Sequence, residues 1–284
     1  MHLLLALLLA QGLSDDRARQ ILPRADLHDL TDAQRAQFLE VAGDTFGYAG
    51  CTDTLARCLG AGVSDTHALR MAVLVKGLLV QGMKPGAVID ALERYYAGFP
   101  NEKRARLDSF DCPQMGDGRV PVAVVEFSDY QCPHCAAAVK PLRDLVQSLP
   151  RKVRLCSKYF PLPGHSRAQI AAACAEFARR HGKFWEMNEL IYANQESLGD
   201  AALKSFAAKL GLDGDTMLRE AYGGRYDPVI ERHKKEGAAA GLRATPTLYF
   251  NGRQYTLPIQ HELLLFSAQD EDEWQRNKGG WDKD

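Results

Sequence analysis

Apolar positions along the chain follow two different periods, and the change between them divides it. From Ser14 to about Leu107 the pattern is helical, with no alternating stretch to suggest a strand. Thr31-Asp32-Ala33-Gln34 reads as a capping-box start, and Ser64-Asp65 caps an apolar-periodic stretch through Val80. Pro85 suits the first turn of a helix running to about Tyr96, and Gly82 and Gly98 stop the last two helices. The pattern predicts a small all-α N-terminal domain of four helices over 15–108. A linker with Pro and Gly follows over 109–119, including Cys112-Pro113-Gln114-Met115-Gly116-Asp117-Gly118.

Beyond the linker the period changes to that of strands. Val120 to Phe127 forms a short β-rich run, and Val153 to Tyr159 forms another with alternating faces. A helix over Pro133 to Leu149 separates them. A long helical stretch, about Ser166 to Ala240, leads to a hairpin of Thr247 to Phe250, the turn Asn251-Gly252, and Gln254 to Thr256. A last helix, Ile259 to Phe266, precedes a polar tail over 268–284 that is read as mobile. The order βαβ, helical insert, ββα predicts an α/β thioredoxin-like fold with a helical insertion over 120–267, preceded by the all-α domain.

Charge narrows the partners. Among 284 residues, 35 Lys and Arg stand against 36 Asp and Glu, so no overall field favours nucleic acid. The longest apolar run, Leu3 to Ala10, is far short of the ~20 residues that span a bilayer. No stable membrane insertion is expected. That run has the leucine density of a secretory h-region, so residues 1–14 read as a signal peptide and the protein as periplasmic, although only His2 stands where a basic segment belongs. The cysteines at 51, 58, 112, 132, 135, 156 and 174 suit an oxidising compartment, and their odd number leaves at least one unpaired within the chain.

The chemistry concentrates in Cys132-Pro133-His134-Cys135, between a strand and the helix it opens. A thiolate at Cys132 is favoured by the helix N-terminus, and two cysteines at this spacing close and reopen a disulfide. Cys132 is read as the attacked sulfur and Cys135 as the resolving one. His134 stabilises the reduced form and so makes the disulfide more oxidising. The alternative, a structural zinc half-site, lacks a second ligand pair. No phosphate loop, nicotinamide fingerprint or Ser-His-Asp pattern is present. The disulfide is therefore expected to be the redox centre, with no cofactor and no metal.

The stretch Val124 to Cys135 resembles the active-site segment of the DsbA-like thiol-disulfide oxidoreductases. Ser157-Lys158-Tyr159-Phe160-Pro161-Leu162 with His165, Ala171 to Ala175, Gly182 to Met187, and Ala244-Thr245-Pro246-Thr247-Leu248 agree in order and spacing, over about residues 109–267. The resemblance implies that Pro246 is cis beside the disulfide and that the Thr245 backbone pairs with a substrate strand. It further implies that Glu126, six residues before Cys132, is a buried acid that takes the proton of Cys135, helped by Lys158 on the neighbouring strand. A partly exposed Glu-Lys strand pair is the alternative. His165 is read as a structural histidine.

Cys156 and Cys174 read as small core hydrophobes, with a disulfide between them as the alternative. Cys51 and Cys58 would lie ~10 Å apart on one helix, so they can pair only across a loop or bend. Otherwise Cys112 becomes a partner that staples the domains. About 50 residues over 50–100 resemble the helical thiol domain of CcmH-type cytochrome c maturation proteins. There Cys58 falls where the second cysteine of that family belongs, Leu55 replaces the first, and Cys51 is displaced. The leading expectation is a donor of disulfides to exported proteins with cysteine pairs, served by a membrane redox partner. The alternatives are a reductase or isomerase, acting for instance on apocytochrome c, and a non-catalytic scaffold.

Overall fold

The computed structural model describes residues 26–60 and 65–281, so the segment read as a signal peptide lies outside the described residues. The chain divides into two compact units. One runs to Phe99 and includes the stretch from Arg276, and the other is Pro100–Gln275.

Four helices appear in the first unit among the described residues: α1 (Asp32–Asp44), α2 (Leu55–Gly60), α3 (Thr66–Val80) and α4 (Pro85–Ala97). The Thr31 hydroxyl accepts the Gln34 N–H at 3.2 Å, and the Gln34 side chain accepts the Thr31 N–H at 3.0 Å. Asp65 caps α3 by accepting the Ala68 N–H at 2.9 Å. Phe38, Met71, Val75, Leu78 and Leu92 bury the apolar faces these caps align. Cys51 precedes α2 in irregular chain, so it reaches Cys58 across a bend and pairs with it at a Cα separation of 5.8 Å.

The second unit is built on a five-stranded sheet in the order β1-β3-β2-β4-β5. Its strands are β1 (Gln114–Met115), β2 (Val122–Ser128), β3 (Val153–Tyr159), β4 (Thr247–Phe250) and β5 (Arg253–Gln254). β2 and β3 are parallel and buried along their whole length, and the other pairings are antiparallel. The β2-to-β3 crossover is α5 (Pro133–Ser148). The insert supplies α6 (Ala168–Arg180), α7 (Phe184–Tyr192), α8 (Asp200–Lys209), α9 (Gly214–Tyr222) and α10 (Asp227–Ala239). Gly237 lets α10 lie close to the sheet, since a Cβ there would meet the Phe160 ring at 2.9 Å and the Phe127 ring at 3.2 Å.

Four expectations need correction. The alternation in β3 does not expose a polar face, because Arg154 is covered by hydrogen bonds to Ser109 and Lys158 by Glu236 of α10. Residues 109–119 are not a free linker: they belong to the second unit, where β1 pairs with β3. Cys156 is neither a lone core thiol nor Cys174's partner, because that pairing brings Cys112 beside it and the two form a disulfide. Cys174 remains a buried free thiol, and burial pushes it up to about 12. Finally, the polar tail is helical as far as Arg276. In α11 (His261–Arg276) the acids from Asp270 to Glu273 are buried, and Glu271 pairs with Arg104 at 2.6 Å and Arg253 at 3.1 Å.

Candidate active site

The site lies at the C-terminal end of β2. After Ser128 the chain leaves the sheet, turns through Asp129-Tyr130-Gln131, and enters α5 with Cys132 at its N-cap and Pro133 in its first turn. A proline is tolerated there because the first-turn N–H groups have no partner within the helix. Cys132 and Cys135 are both free thiols. Cys135 is wholly buried, and Cys132 keeps a small exposed surface. The Cys132 thiol donates to the carbonyl of Thr245 at 3.1 Å, and the Thr245-Pro246 bond is cis.

His134 and Pro133 are exposed. His134, Ala137, Pro141, Thr245, Pro246 and Ile259 line an open groove alongside the cysteine pair. Pro141, inside α5, has no N–H to give to the carbonyl of Ala137 one turn earlier.

Beneath the cysteines, Glu126 is buried in β2, and burial raises its carboxyl to about 7, opposed by a 3.5 Å hydrogen bond from the Ser157 hydroxyl. The Cys135 thiol is pushed up, first by burial and then by the charge of Glu126. The N–H of Asp129, 3.5 Å from Cys135 Sγ, acts the other way. Lys158 is not beside Glu126. In the parallel register Glu126 pairs with Ser157, so Lys158, the next residue of β3, points to the opposite face and forms an ion pair with Glu236. His165 Nδ1 lies 2.9 Å from Asp129 Oδ2.

Three contributors escaped sequence reasoning. Asp129 is buried among polar partners, Gln195 Nε2 donates to the carbonyls of Tyr130 at 2.8 Å and Cys132 at 2.9 Å, and Pro141 borders the groove. Asp129 had a signal, a carboxylate three residues before the first cysteine. Gln195 had none, because a contact across 63 residues leaves no local pattern.

The thioredoxin family profile matches residues 111–266, more than half of the chain. The chain belongs to the thioredoxin family. Among solved structures, oxidised BdbD from Bacillus subtilis superposes with a TM-score of 0.55 at 19% identity, covering 60% of this chain and 97% of that one. A thioredoxin-like oxidoreductase from Silicibacter pomeroyi gives 0.53 at 25% identity, covering 61% and 99%. The fold is that of the DsbA-like thiol-disulfide oxidoreductases. Among curated relatives, the Na(+)/H(+) antiporter NhaA 3 of Salinispora tropica is 35% identical over 150 residues, 52% of this chain and 23% of that protein. NhaA of Herminiimonas arsenicoxydans is 30% identical over 133 residues, 47% and 21%. The chain spans less than a quarter of the length of these relatives. Among the described residues, no helix is long and apolar enough to cross a membrane.

Proposed function

We propose that this member of the thioredoxin family is a periplasmic thiol-disulfide oxidoreductase that donates its Cys132-Cys135 disulfide to cysteine pairs of exported proteins. The observation that carries this reading is the placement of the pair. Cys132 donates to the carbonyl of Thr245 and keeps a small exposed surface, while Cys135 is wholly buried at the start of α5. An incoming thiolate can reach only the outer sulfur. Attack on Cys132 expels Cys135 as a thiolate, which takes up a proton, and a second substrate thiol then releases the oxidised substrate and leaves Cys132 reduced. Glu126 is the carboxyl that exchanges that proton, and the backbone at Thr245 and Pro246 holds the substrate as an extended segment. His134, one residue from the buried sulfur and open to water, supports the oxidising direction. Two disulfides elsewhere in the chain support an oxidising compartment. A membrane redox partner then restores the disulfide.

The test is equilibration of the pair in glutathione redox buffers, with the remaining cysteines mapped by alkylation. A potential more oxidising than glutathione supports donation. One well below it reverses the direction to reduction, and a Cys132→Ala variant that keeps full function in cells removes the enzyme altogether.

A further inference from the structure

Asp129 is buried, and among the described residues no lysine or arginine forms an ion pair with it. Its Oδ1 accepts the N–H of Gln131 at 2.6 Å and its Oδ2 the N–H of Leu162 at 2.7 Å, with His165 Nδ1 facing Oδ2 at 2.9 Å. A buried carboxylate is tolerated only where donors surround it, and here they come from two separate segments. The first is the turn leading into Cys132. The second follows β3, where the His165 N–H closes the loop by donating to the Leu162 carbonyl at 3.0 Å.

The two segments hold one peptide group. The Ser128 carbonyl accepts the Phe160 N–H at 2.8 Å, and the other end of the same peptide is the Asp129 N–H that points at Cys135 Sγ, 3.5 Å away. An N–H held in this way favours a thiolate, because its dipole needs no reorientation when the charge forms.

We propose that Asp129, held by the N–H groups of Gln131 and Leu162 with His165 against its carboxyl, is a positioning residue that aims its own peptide N–H at Cys135 and so sets how fast Cys135 resolves, or is expelled from, the active-site disulfide. This rests on the exchange reaction proposed above. In the resolving step the Cys135 thiol gives its proton to Glu126 or water, and its thiolate attacks Cys132 Sγ in a mixed disulfide. The Cys132-Cys135 bond forms, and the bond from Cys132 to the bound thiol breaks, releasing that thiol as thiolate. Both electrons of the broken bond leave with it.

Oxidised glutathione is the probe, mixed with the reduced full chain and quenched in acid, with the Cys132-glutathione adduct followed by mass spectrometry. Asp129→Asn keeps only one of the two acceptor oxygens, so its NH2 opposes the N–H of Gln131 or of Leu162, donor against donor, and the clamp is lost. The adduct should then form within about twofold of the parent rate but persist at least tenfold longer, and its pH-rate midpoint should move upward. His165→Gln, at a part-exposed position that tolerates exchange, should lengthen the adduct's lifetime about threefold and keeps the test alive if Asp129→Asn does not fold. Unchanged lifetimes in the folded variants, or equal slowing of both steps, would overturn the positioning role. A parent chain that forms no adduct at Cys132 would instead overturn the exchange reaction itself.

Discussion

Burial raises the Glu126 carboxyl to about 7, and it also holds the Cys135 thiol protonated. Below about pH 7 the carboxyl is neutral and cannot receive a proton, and above it the carboxylate can. Resolution of a mixed disulfide by Cys135 should therefore accelerate with pH through an inflection near 7. Glu126→Gln should lose that inflection and slow the step by about a hundredfold at pH 8, the lower end of what a positioned base contributes. Stopped-flow fluorescence across pH 5 to 9 reads both quantities, and an inflection that survives in the variant assigns it to another group. His134 stands at the open groove. His134→Pro should make the couple more reducing in glutathione buffers, and an unchanged potential would remove the argument for the donating direction.

At the scale of elements, the hairpin β4-β5 shows how tightly the sheet edge is drawn to the chain entering the unit. Asn251 and Gly252 both have positive φ, 47° and 83°, as the two-residue turn requires. A Cβ at Gly252 would stand 2.3 Å from the Ala105 carbonyl, while the Gly252 carbonyl accepts the Ala105 N–H at 2.8 Å. Gly252→Ala should cost about 2 to 4 kcal/mol, since strain in φ adds to a clash with backbone that cannot swing away. Gly241→Ala, at φ 77° but with nothing within 4 Å, should cost only the φ penalty of about 1 kcal/mol. Urea unfolding of the two variants separates the terms, and equal losses would mean that Ala105 yields. This turn was readable as Asn-Gly between apolar runs, as were the caps at Thr31 and Asp65, because each is a local rule applied within a few residues. The clamp on Asp129, the Cys112-Cys156 bond and the face of Lys158 were not. They depend on which strand lies beside which, and on a register that moves a side chain to the other face with a one-residue shift.

At the scale of the whole molecule, two buried titrating groups oppose each other on the two sides of the central strands. Burial holds His233 down to about 4, with the charge of Lys158 adding to the effect. Its neutral ring is satisfied as it stands, accepting the Tyr159 N–H at Nδ1 and donating from Nε2 to the Asp111 carbonyl. The unfolded chain takes up a proton at this histidine below about 6.5 and the native one does not, so its contribution to stability is full above 6.5 and is lost as pH falls toward 4. Glu126 has the opposite sign. Native Glu126 keeps its proton up to about 7, whereas the unfolded residue loses it at about 4.5, so stability falls as pH rises between those values and is level above them. Each effect is on the order of 3 kcal/mol at full extent. They cancel across the shared window from about 4.5 to 6.5, and the parent should show a nearly flat stability there. Glu126→Gln removes the descending contribution, so its unfolding free energy in urea should climb by about 2 to 3 kcal/mol from pH 4.5 to 6.5. His233→Gln, which can keep one donor and one acceptor, leaves the descending slope and should lose a similar amount over the same interval. A flat profile in both variants would mean that water reaches these groups and neither titrates as a buried one. A slope in only one would place the burial on that face of the sheet alone.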